Sequence, residues 1–448
     1  MIHLGGRSAA ALLAVLALVA FASPSPASAP TAGSGMRYPA ASASAIGPAQ
    51  LIGETDTDSP VSGVQIFVAA GLDRQGPNQS GIASLTAECI VRTLVGGLPL
   101  RDAVANKGGY LSYTVDGRSV HYYLEGRADN LPALVTLVAR AFAAPDFSAA
   151  TFAAARAALV SRIDESQSNA LAVGIEMFRR SYYSSGAGEP ALGTAAALAQ
   201  LSARDVATFY RSTYERTAVS ASAVGRLSPE LGRALAALAS GLPDGTVAAV
   251  ADTAKAIPAE APRIVAHRDV SAPWIVIGFA APAPSSPDFG AMLVMQSLLS
   301  DAFERSSTTT LGFVEKSVGA LYLYDSTPAS MVVYVNGELV DPSLALRELL
   351  VVSRSLSTKP IAASGLAHYK AAAEGQFLTD SVTLSDRAYL LGTFAAQGLG
   401  PDSINAALAA LERTTPADIQ RAAKAYLQRY IVALVLPRQG AGGGSEGS

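Results

Sequence analysis

Apolar and polar residues alternate in short runs along this chain, and such runs lead into longer stretches of helical character. The segment VSGVQIFVAAG, residues 61–71, is rich in β-branched residues and partly alternating, which predicts a strand. A polar turn follows, and then GIASLTAECIV, residues 81–91, which predicts a helix. The segment SAPWIVIGFAAPAPSSPDFGAMLVMQSLLS, residues 271–300, has the same order of strand, turn and helix. The pattern therefore indicates a repeated unit.

Two further pairs of segments recur in the same order. VHYYLEGRADNLPALVTLVARAF, residues 120–142, predicts a strand and then a helix, and MVVYVNGELVDPSLALRELLVVSRSL, residues 331–356, echoes it. The runs LSARDVATFYRSTY and TTPADIQRAAKAYL each place Ser or Thr three residues before an acid, the capping pattern that begins a helix. The two acids, Asp205 and Asp418, are 213 residues apart (418 − 205), close to the spacing of the other pairs. Three ordered matches indicate a duplicated chain.

The duplication predicts two related α+β domains. We expect the first domain over residues 37–241 and the second over residues 263–438. Residues 242–262, with seven Ala, three Pro and one Gly, have the composition of an exposed linker. Residues 439–448, QGAGGGSEGS, predict a flexible tail.

The composition of the chain indicates where the protein is located and excludes disorder and nucleic-acid binding. Half of the residues are hydrophobic and 15% are charged, which excludes disorder for most of the chain. The net charge is −3 and the basic residues are scattered, so no nucleic-acid surface is expected. Residues 1–29 combine a basic start, the apolar run AAALLAVLALVAFA and small residues with proline, which predicts a secretory signal. We therefore expect an exported protein, periplasmic or extracellular, without a membrane span after cleavage; an uncleaved anchor is the alternative.

The single cysteine limits the possible chemistry. Cys89 is the only cysteine, so a mature chain of this size is held together by its cores and not by disulfides. One cysteine also excludes a thiolate zinc cluster within the chain. Next to Glu88, the Cys89 thiolate is disfavoured, which favours a role as a small core residue.

Three segments resemble the M16 family of peptidases, whose members include pitrilysin, insulin-degrading enzyme and the mitochondrial processing peptidase. AAGLDRQGPNQSGIASLTAE, residues 69–88, resembles the strand, turn and metal-binding helix of the family. NKGGYLSYTVDGRSVHYYLEG, residues 106–126, resembles the hairpin that follows, and FVEKSVGALYLYDS, residues 313–326, resembles a segment of the second domain. The resemblance implies an α+β fold of two tandem, homologous M16-type α/β sandwich domains, each with a mostly antiparallel sheet and helices on one face.

The resemblance also shows what this chain lacks. In the family motif H-x-x-E-H, two histidines one helical turn apart bind zinc and the glutamate activates water. Laid on this sequence, the histidine positions hold Ser84 and Glu88, and the glutamate position holds Ala87. We therefore expect no catalytic residue of the family type, no metal and no cofactor.

The position of the distal zinc ligand is open on the sequence alone. The pattern of the helical run FAAARAALVSRIDESQS places Arg162 there, whereas residue counting favours Asp164. The histidines do not supply a substitute, because they lie far apart without a second ligand at helical or strand spacing: His3, His121, His267 and His368.

A catalytic group other than a metal is an alternative interpretation. The Ser84 hydroxyl has no histidine or lysine nearby in sequence to activate it. Glu88 with Asp164 or Glu165 could form a carboxylate pair for acid–base chemistry, or a polar cluster facing a water-filled cavity.

The second half carries a possible substrate-binding segment. In two-subunit M16 peptidases the subunit without zinc holds substrate with an arginine and a tyrosine of this segment. Tyr322 stands at the tyrosine position, but Glu315 stands at the arginine position. Tyr322 also alternates with apolar residues, which is typical of a strand with a core or cavity-lining role.

These observations predict a catalytically inactive subunit. It would pair as a heterodimer with an active, zinc-bearing M16 peptidase and help to form the peptide-binding chamber. A non-proteolytic scaffold protein, or a hydrolase with an unrecognised site around Ser84 or Glu88, are the alternatives.

Overall fold

Two β-sheets, one from each half of the chain, organise the structure, a computed structural model that describes residues 37–46, 49–184, 186–246, 250, 254–309, 316–326, 328–337 and 341–438. The strands of the first half are β1 (Ala41–Ile46), β2 (Ala49–Thr55), β3 (Val61–Val68), β4 (Leu94–Val95), β5 (Leu98–Pro99), β6 (Tyr110–Val115), β7 (Val120–Arg127) and β8 (Val219–Gly225). Those of the second half are β9 (Arg263–Arg268), β10 (Trp274–Ala280), β11 (Lys316–Leu323), β12 (Ser330–Gly337) and β13 (Tyr430–Pro437).

The two sheets have the same topology. The order of the first sheet is β1-β2-β8-β3-β7-β6, and that of the second, β9-β13-β10-β12-β11, repeats it without an equivalent of β1 among the described residues. In each sheet one neighbouring pair is parallel, β2 with β8 and β9 with β13, and the other described pairs are antiparallel. The predicted fold of two related, mostly antiparallel α/β sandwiches is confirmed.

Helices follow the strands in both halves. In the first half they are α1 (Ile82–Arg92), α2 (Leu100–Ala105), α3 (Leu131–Ala143), α4 (Ala149–Ser166), α5 (Ala170–Tyr182), α6 (Ala195–Gln200), α7 (Ala203–Thr213) and α8 (Pro229–Ser240). In the second half they are α9 (Phe289–Thr309), α10 (Pro342–Thr358), α11 (Ala363–Thr379), α12 (Leu384–Ala396), α13 (Ser403–Arg413) and α14 (Pro416–Tyr426). None of the helices in the described ranges is both long and apolar enough to cross a membrane.

The two predicted capping patterns are real helix starts. The Ser202 hydroxyl accepts a hydrogen bond from the Asp205 backbone N–H at 3.3 Å, and the Asp205 carboxylate accepts from the Ser202 backbone N–H at 2.9 Å. Thr415 and Asp418 form the same reciprocal pair at the start of α14. Each pair satisfies backbone donors that have no partner inside the helix.

Each half has a hydrophobic core, and strand alternation decides which core a residue enters. On β8, Ala223 belongs to the core of the first half, whereas its neighbour Val224 belongs to the core of the second half. Successive side chains on a strand point to opposite faces of the sheet. The first sheet therefore lies between the two cores.

The halves exchange one helix each. Helix α5 of the first half packs on β10 and β13, and α12 of the second half packs on β3 and β8. The expectation of helices on one face thus needs correcting, because the exchanged helix covers the other face. Glycines permit both contacts. A Cβ on Gly392 of α12 would lie 2.0 Å from the ring of Phe67, and one on Gly278 of β10 would lie 2.1 Å from the ring of Phe178 on α5.

The segment between the halves is attached to the first half. Leu242 and Ile257 are buried, with 2% and 6% of their surface exposed. The Lys255 backbone N–H donates to the Tyr182 carbonyl at 2.6 Å, and Ala254 forms a bridge with Tyr183. The limits of the two domains and of the linker stay a prediction; residues 1–29 and 439–448 lie outside the described residues.

Candidate functional site

Helix α1, on which the degenerate motif lies, is buried along almost its whole length. Every residue from Ile82 to Val91 is buried, because α1 packs against α4, α7 and the β6–β7 hairpin. Gly81 precedes the helix at φ +90°, where a Cβ would lie 2.7 Å from the Leu192 carbonyl oxygen. Only glycine adopts this conformation without strain, so Gly81 fixes the entry of α1.

The Ser84 hydroxyl is not prepared for nucleophilic attack. Ser84 is 1% exposed and donates its hydroxyl proton to the Ala191 carbonyl at 2.5 Å. Within the described residues no histidine or lysine is bonded to that hydroxyl. One helical turn further on, Ala87 has no group that could act as a base. The hypothesis of a serine nucleophile finds no activating partner here.

Glu88 is the charged member of the motif positions, and guanidinium groups surround it. Its side chain is 3% exposed. Arg92, one turn further along α1, donates its Nε–H to Glu88 Oε1 at 2.9 Å. Tyr113 of β6 donates its hydroxyl to Glu88 Oε2 at 2.8 Å. Arg162 of α4 lies on the other side, with Nη1 4.0 Å from Glu88 Oε2.

Arg162 is therefore the residue of α4 that faces the motif. It donates from Nη1 to the Tyr113 hydroxyl at 3.0 Å, and its guanidinium lies 5.6 Å from the Tyr113 ring centroid. Asp164 and Glu165 are exposed to solvent. A carboxylate pair between either of them and Glu88 is consequently not formed.

Glu88, Arg92, Tyr113 and Arg162 form one cluster in which side-chain charges are paired. A buried carboxylate without a partner costs several kcal/mol, and two guanidiniums and a hydroxyl provide the partners. Burial raises the pKa of Tyr113, and the Glu88 carboxylate raises it further, whereas Arg162 and Arg101 lower it. Tyr113 therefore stays protonated and serves as a hydrogen-bond donor. The sequence interpretation did not single out Tyr113 or Arg92, although the i,i+4 spacing of Glu88 and Arg92 was a readable signal.

The cysteine and the histidines do not add a metal site. Burial, and then the neighbouring Glu88, raise the pKa of Cys89 to about 12. His121 is buried and stacks on Phe67, with ring centroids 5.5 Å apart. Across the described ranges, no three His, Cys, Asp or Glu side chains are grouped so that they could hold a metal ion.

The two residues predicted to bind substrate in the second half have different outcomes. Tyr322 of β11 is 5% exposed, donates its hydroxyl to the Pro282 carbonyl and packs on Phe289, with ring centroids 5.6 Å apart. Burial raises its pKa well above the usual value. Contact with a peptide would require this side chain to leave the core. Glu315 lies outside the described residues, so both assignments stay predictions.

Comparison with solved structures identifies the fold. A protein from Pseudomonas fluorescens described as a peptidase M16 inactive domain superposes with a TM-score of 0.77 at 15% identity, over 89% of this chain and 98% of that one. A protease from Helicobacter pylori superposes with a TM-score of 0.78 at 15% identity, over 89% and 100% of the two chains. This chain has the fold of M16-like peptidases. No protein-family model matches the sequence, and a search of curated proteins gives no match.

The residues at the family's metal position do not fit zinc. Ser84 is hydrogen-bonded to a carbonyl, Ala87 carries no ligand atom, and the Glu88 carboxylate is engaged by two guanidiniums and a hydroxyl. A catalytic zinc site needs three protein ligands and an open position for water. The arrangement instead holds one buried anion between two cations.

Proposed function

We propose that this chain is an exported, non-catalytic subunit that pairs with an active, zinc-bearing M16 peptidase and forms part of its peptide chamber. The observation that carries the proposal is the ion pair between Glu88 and Arg162 at the metal position. The chain keeps the whole M16-like fold, with 98–100% of two similar structures covered, yet it supplies its own cation where a peptidase would hold zinc.

Geometry gives this arrangement a physical reason. A chamber built from four homologous domains needs one metal site to cut a peptide. The other domains can lose their ligands as long as their walls are retained. Both sheets and the exchanged helices α5 and α12 are present in this chain, which supports a role as part of a chamber wall.

The pairing is tested by co-expression with an exported M16 relative that carries H-x-x-E-H. The mature chain and the relative are examined by size-exclusion chromatography at micromolar concentration and by turnover of a fluorogenic peptide. We expect co-elution and faster turnover by the pair than by the relative alone. A stable pair requires an interface of roughly 1,000 Å² or more.

Two controls separate the proposal from its alternatives. A relative whose motif glutamate is changed to glutamine removes its own turnover, so residual cleavage by the pair would belong to this chain and would favour a hydrolase. Separate elution together with a fully active relative contradicts the subunit function. Co-elution without any change in turnover would favour a scaffold.

A further inference from the structure

Two arginines form ion pairs with the buried Glu88 carboxylate on α1. Arg92 binds Glu88 through Nε, and Arg162 binds Tyr113 through Nη1. Arg101, at the start of α2, is exposed and close enough that its charge acts on the Tyr113 hydroxyl. The Glu88 carboxylate therefore lies between two guanidiniums.

The guanidiniums keep donors that the cluster does not use. The side chains of Arg92 and Arg162 are 35% and 31% exposed, whereas that of Glu88 is 3% exposed. Within the part of the chain that the structure describes, no hydrogen bond engages the Nη atoms of Arg92 or the Nε and Nη2 atoms of Arg162. Each guanidinium offers five N–H donors in a planar fork. The buried side of the cluster is thus satisfied and its exposed side is cationic.

The nearby acids do not neutralise these arginines. Asp146 accepts hydrogen bonds from the backbone N–H of Ser148 and from the hydroxyl of Thr151. Glu165 is exposed, with Oε1 3.5 Å from the Ser161 hydroxyl. The salt bridges of Arg92 and Arg162 in the described residues are both to Glu88. An anion from outside can therefore approach the cluster.

We propose that Arg92 and Arg162 bind a carboxylate of an extended peptide, either its C-terminus or an acidic side chain. A guanidinium binds a carboxylate with two parallel hydrogen bonds, which gives both orientation and affinity. The proposal deepens the proposed function, since a chamber subunit with this pocket would hold peptide by charge at the position where a peptidase holds it by metal.

The test uses the mature chain alone and four fluorescent decapeptides of one sequence, measured by anisotropy. The first has a free C-terminus and no acid, the second is amidated, the third is amidated with one internal Glu, and the fourth has Gln at that position. We expect the second and fourth to bind at least tenfold more weakly than the first or the third. Raising the salt concentration should weaken only the binding of the carboxylate peptides.

Variants of the cluster move affinity in opposite directions. Arg162→Gln and Arg92→Gln should each weaken carboxylate binding at least tenfold, and Arg162→Lys should restore part of it. Glu88→Gln should strengthen binding, because it removes the anion that competes for the same guanidiniums. Arg156→Gln is the matched control: Arg156 is on α4 as well, but it stacks on the Phe152 ring at 5.3 Å. Melting temperatures show whether each variant is folded.

Several results would overturn the proposal of a carboxylate-binding site. These are equal binding of all four peptides, no binding of any of them at millimolar concentration, unchanged binding in folded Arg162→Gln, or weaker binding in folded Glu88→Gln. Pairing with a zinc peptidase is measured separately by co-elution. The proposal of a carboxylate-binding site can therefore be refuted while the proposed subunit function is supported, and the reverse is also possible.

Discussion

Rebuilding the family motif on α1 by Ser84→His, Ala87→Glu and Glu88→His should not by itself create a tight zinc site. The reason is Arg162, whose Nη1 lies 4.0 Å from the Glu88 carboxylate in the present structure. A zinc ion bound by His at position 88 would lie within about 5 Å of that guanidinium, since Zn–N bonds are about 2 Å long. The triple variant would thus place a divalent cation against a fixed positive charge.

The size of the repulsion follows from Coulomb's law. Charges of +2 and +1 separated by about 5 Å repel by roughly 7 kcal/mol at an effective dielectric constant of 20. Arg162 is 31% exposed, so it can swing toward solvent and recover much of this energy. We expect a remaining penalty of about 3 kcal/mol, which corresponds to at least a 100-fold weaker zinc affinity.

Adding Arg162→Glu to the triple variant replaces that charge with a ligand and should raise zinc affinity by at least 100-fold. Adding Arg162→Gln separates the two effects, because it removes the charge without supplying a ligand. The measurement is competitive zinc titration of the folded proteins against a chromophoric chelator. Adding Asp164→Asn to the quadruple variant is the matched control and should change nothing, since Asp164 is exposed. Equal zinc affinities with Arg162 and with Glu at this position would refute the reasoning.

Three further predictions concern the fold around this site. Gly392→Ala should lower the free energy of unfolding by about 1–3 kcal/mol because its Cβ would meet the Phe67 ring. In urea titrations, adding Phe67→Leu should relieve part of this loss. If the losses of the two single variants simply add in the double variant, the explanation is contradicted. Cys89, with a pKa of about 12, should not react with a thiol reagent at pH 8 until the chain is unfolded, and rapid labelling of the native protein would contradict its burial. Burial lowers the pKa of His121 from 6.5 to about 4. Between these pH values the unfolded state binds more protons than the folded state, so the free energy of unfolding falls as the pH falls through this window. Urea titration at several pH values should show that this loss is absent from His121→Phe.

Sequence periodicity could predict the two sheets but not the exchange of helices between them. The structure buries both faces of β8, whereas the alternation of Ser with Val and Ala in its sequence predicts one apolar face and does not show which half of the chain covers it. The preference of α12 for the first sheet arises from side-chain shape, as where Gly392 meets Phe67. Such a contact joins residues 325 positions apart (392 − 67), and no local pattern contains it.

The candidate site could likewise be predicted from the sequence only in part. The losses at Ser84, Ala87 and Glu88 could be predicted because the motif has fixed spacing on one helix. Arg162 and Asp164 could not be distinguished by counting, although two residues along a helix rotate a side chain by about 200° and so to the opposite face. Tyr113 was hidden for another reason, because a tyrosine on an alternating strand is indistinguishable from a core residue until its hydroxyl partner is known.

The burial of α1 explains why this helix keeps its position without a metal ion. Structural zinc sites hold small domains together, and those domains unfold without metal. Here the ten residues from Ile82 to Val91 are buried by apolar packing against α4, α7 and the β6–β7 hairpin, so the helix does not depend on an ion for its position. The electrostatic requirement at the motif is small by comparison: one buried carboxylate needs cationic partners, and Arg92 and Arg162 provide them. A buried ion pair contributes little net stability compared with apolar residues of similar volume. Stability alone would therefore favour an apolar replacement at Glu88, Arg92 and Arg162, and the presence of all three charges argues for a role in binding.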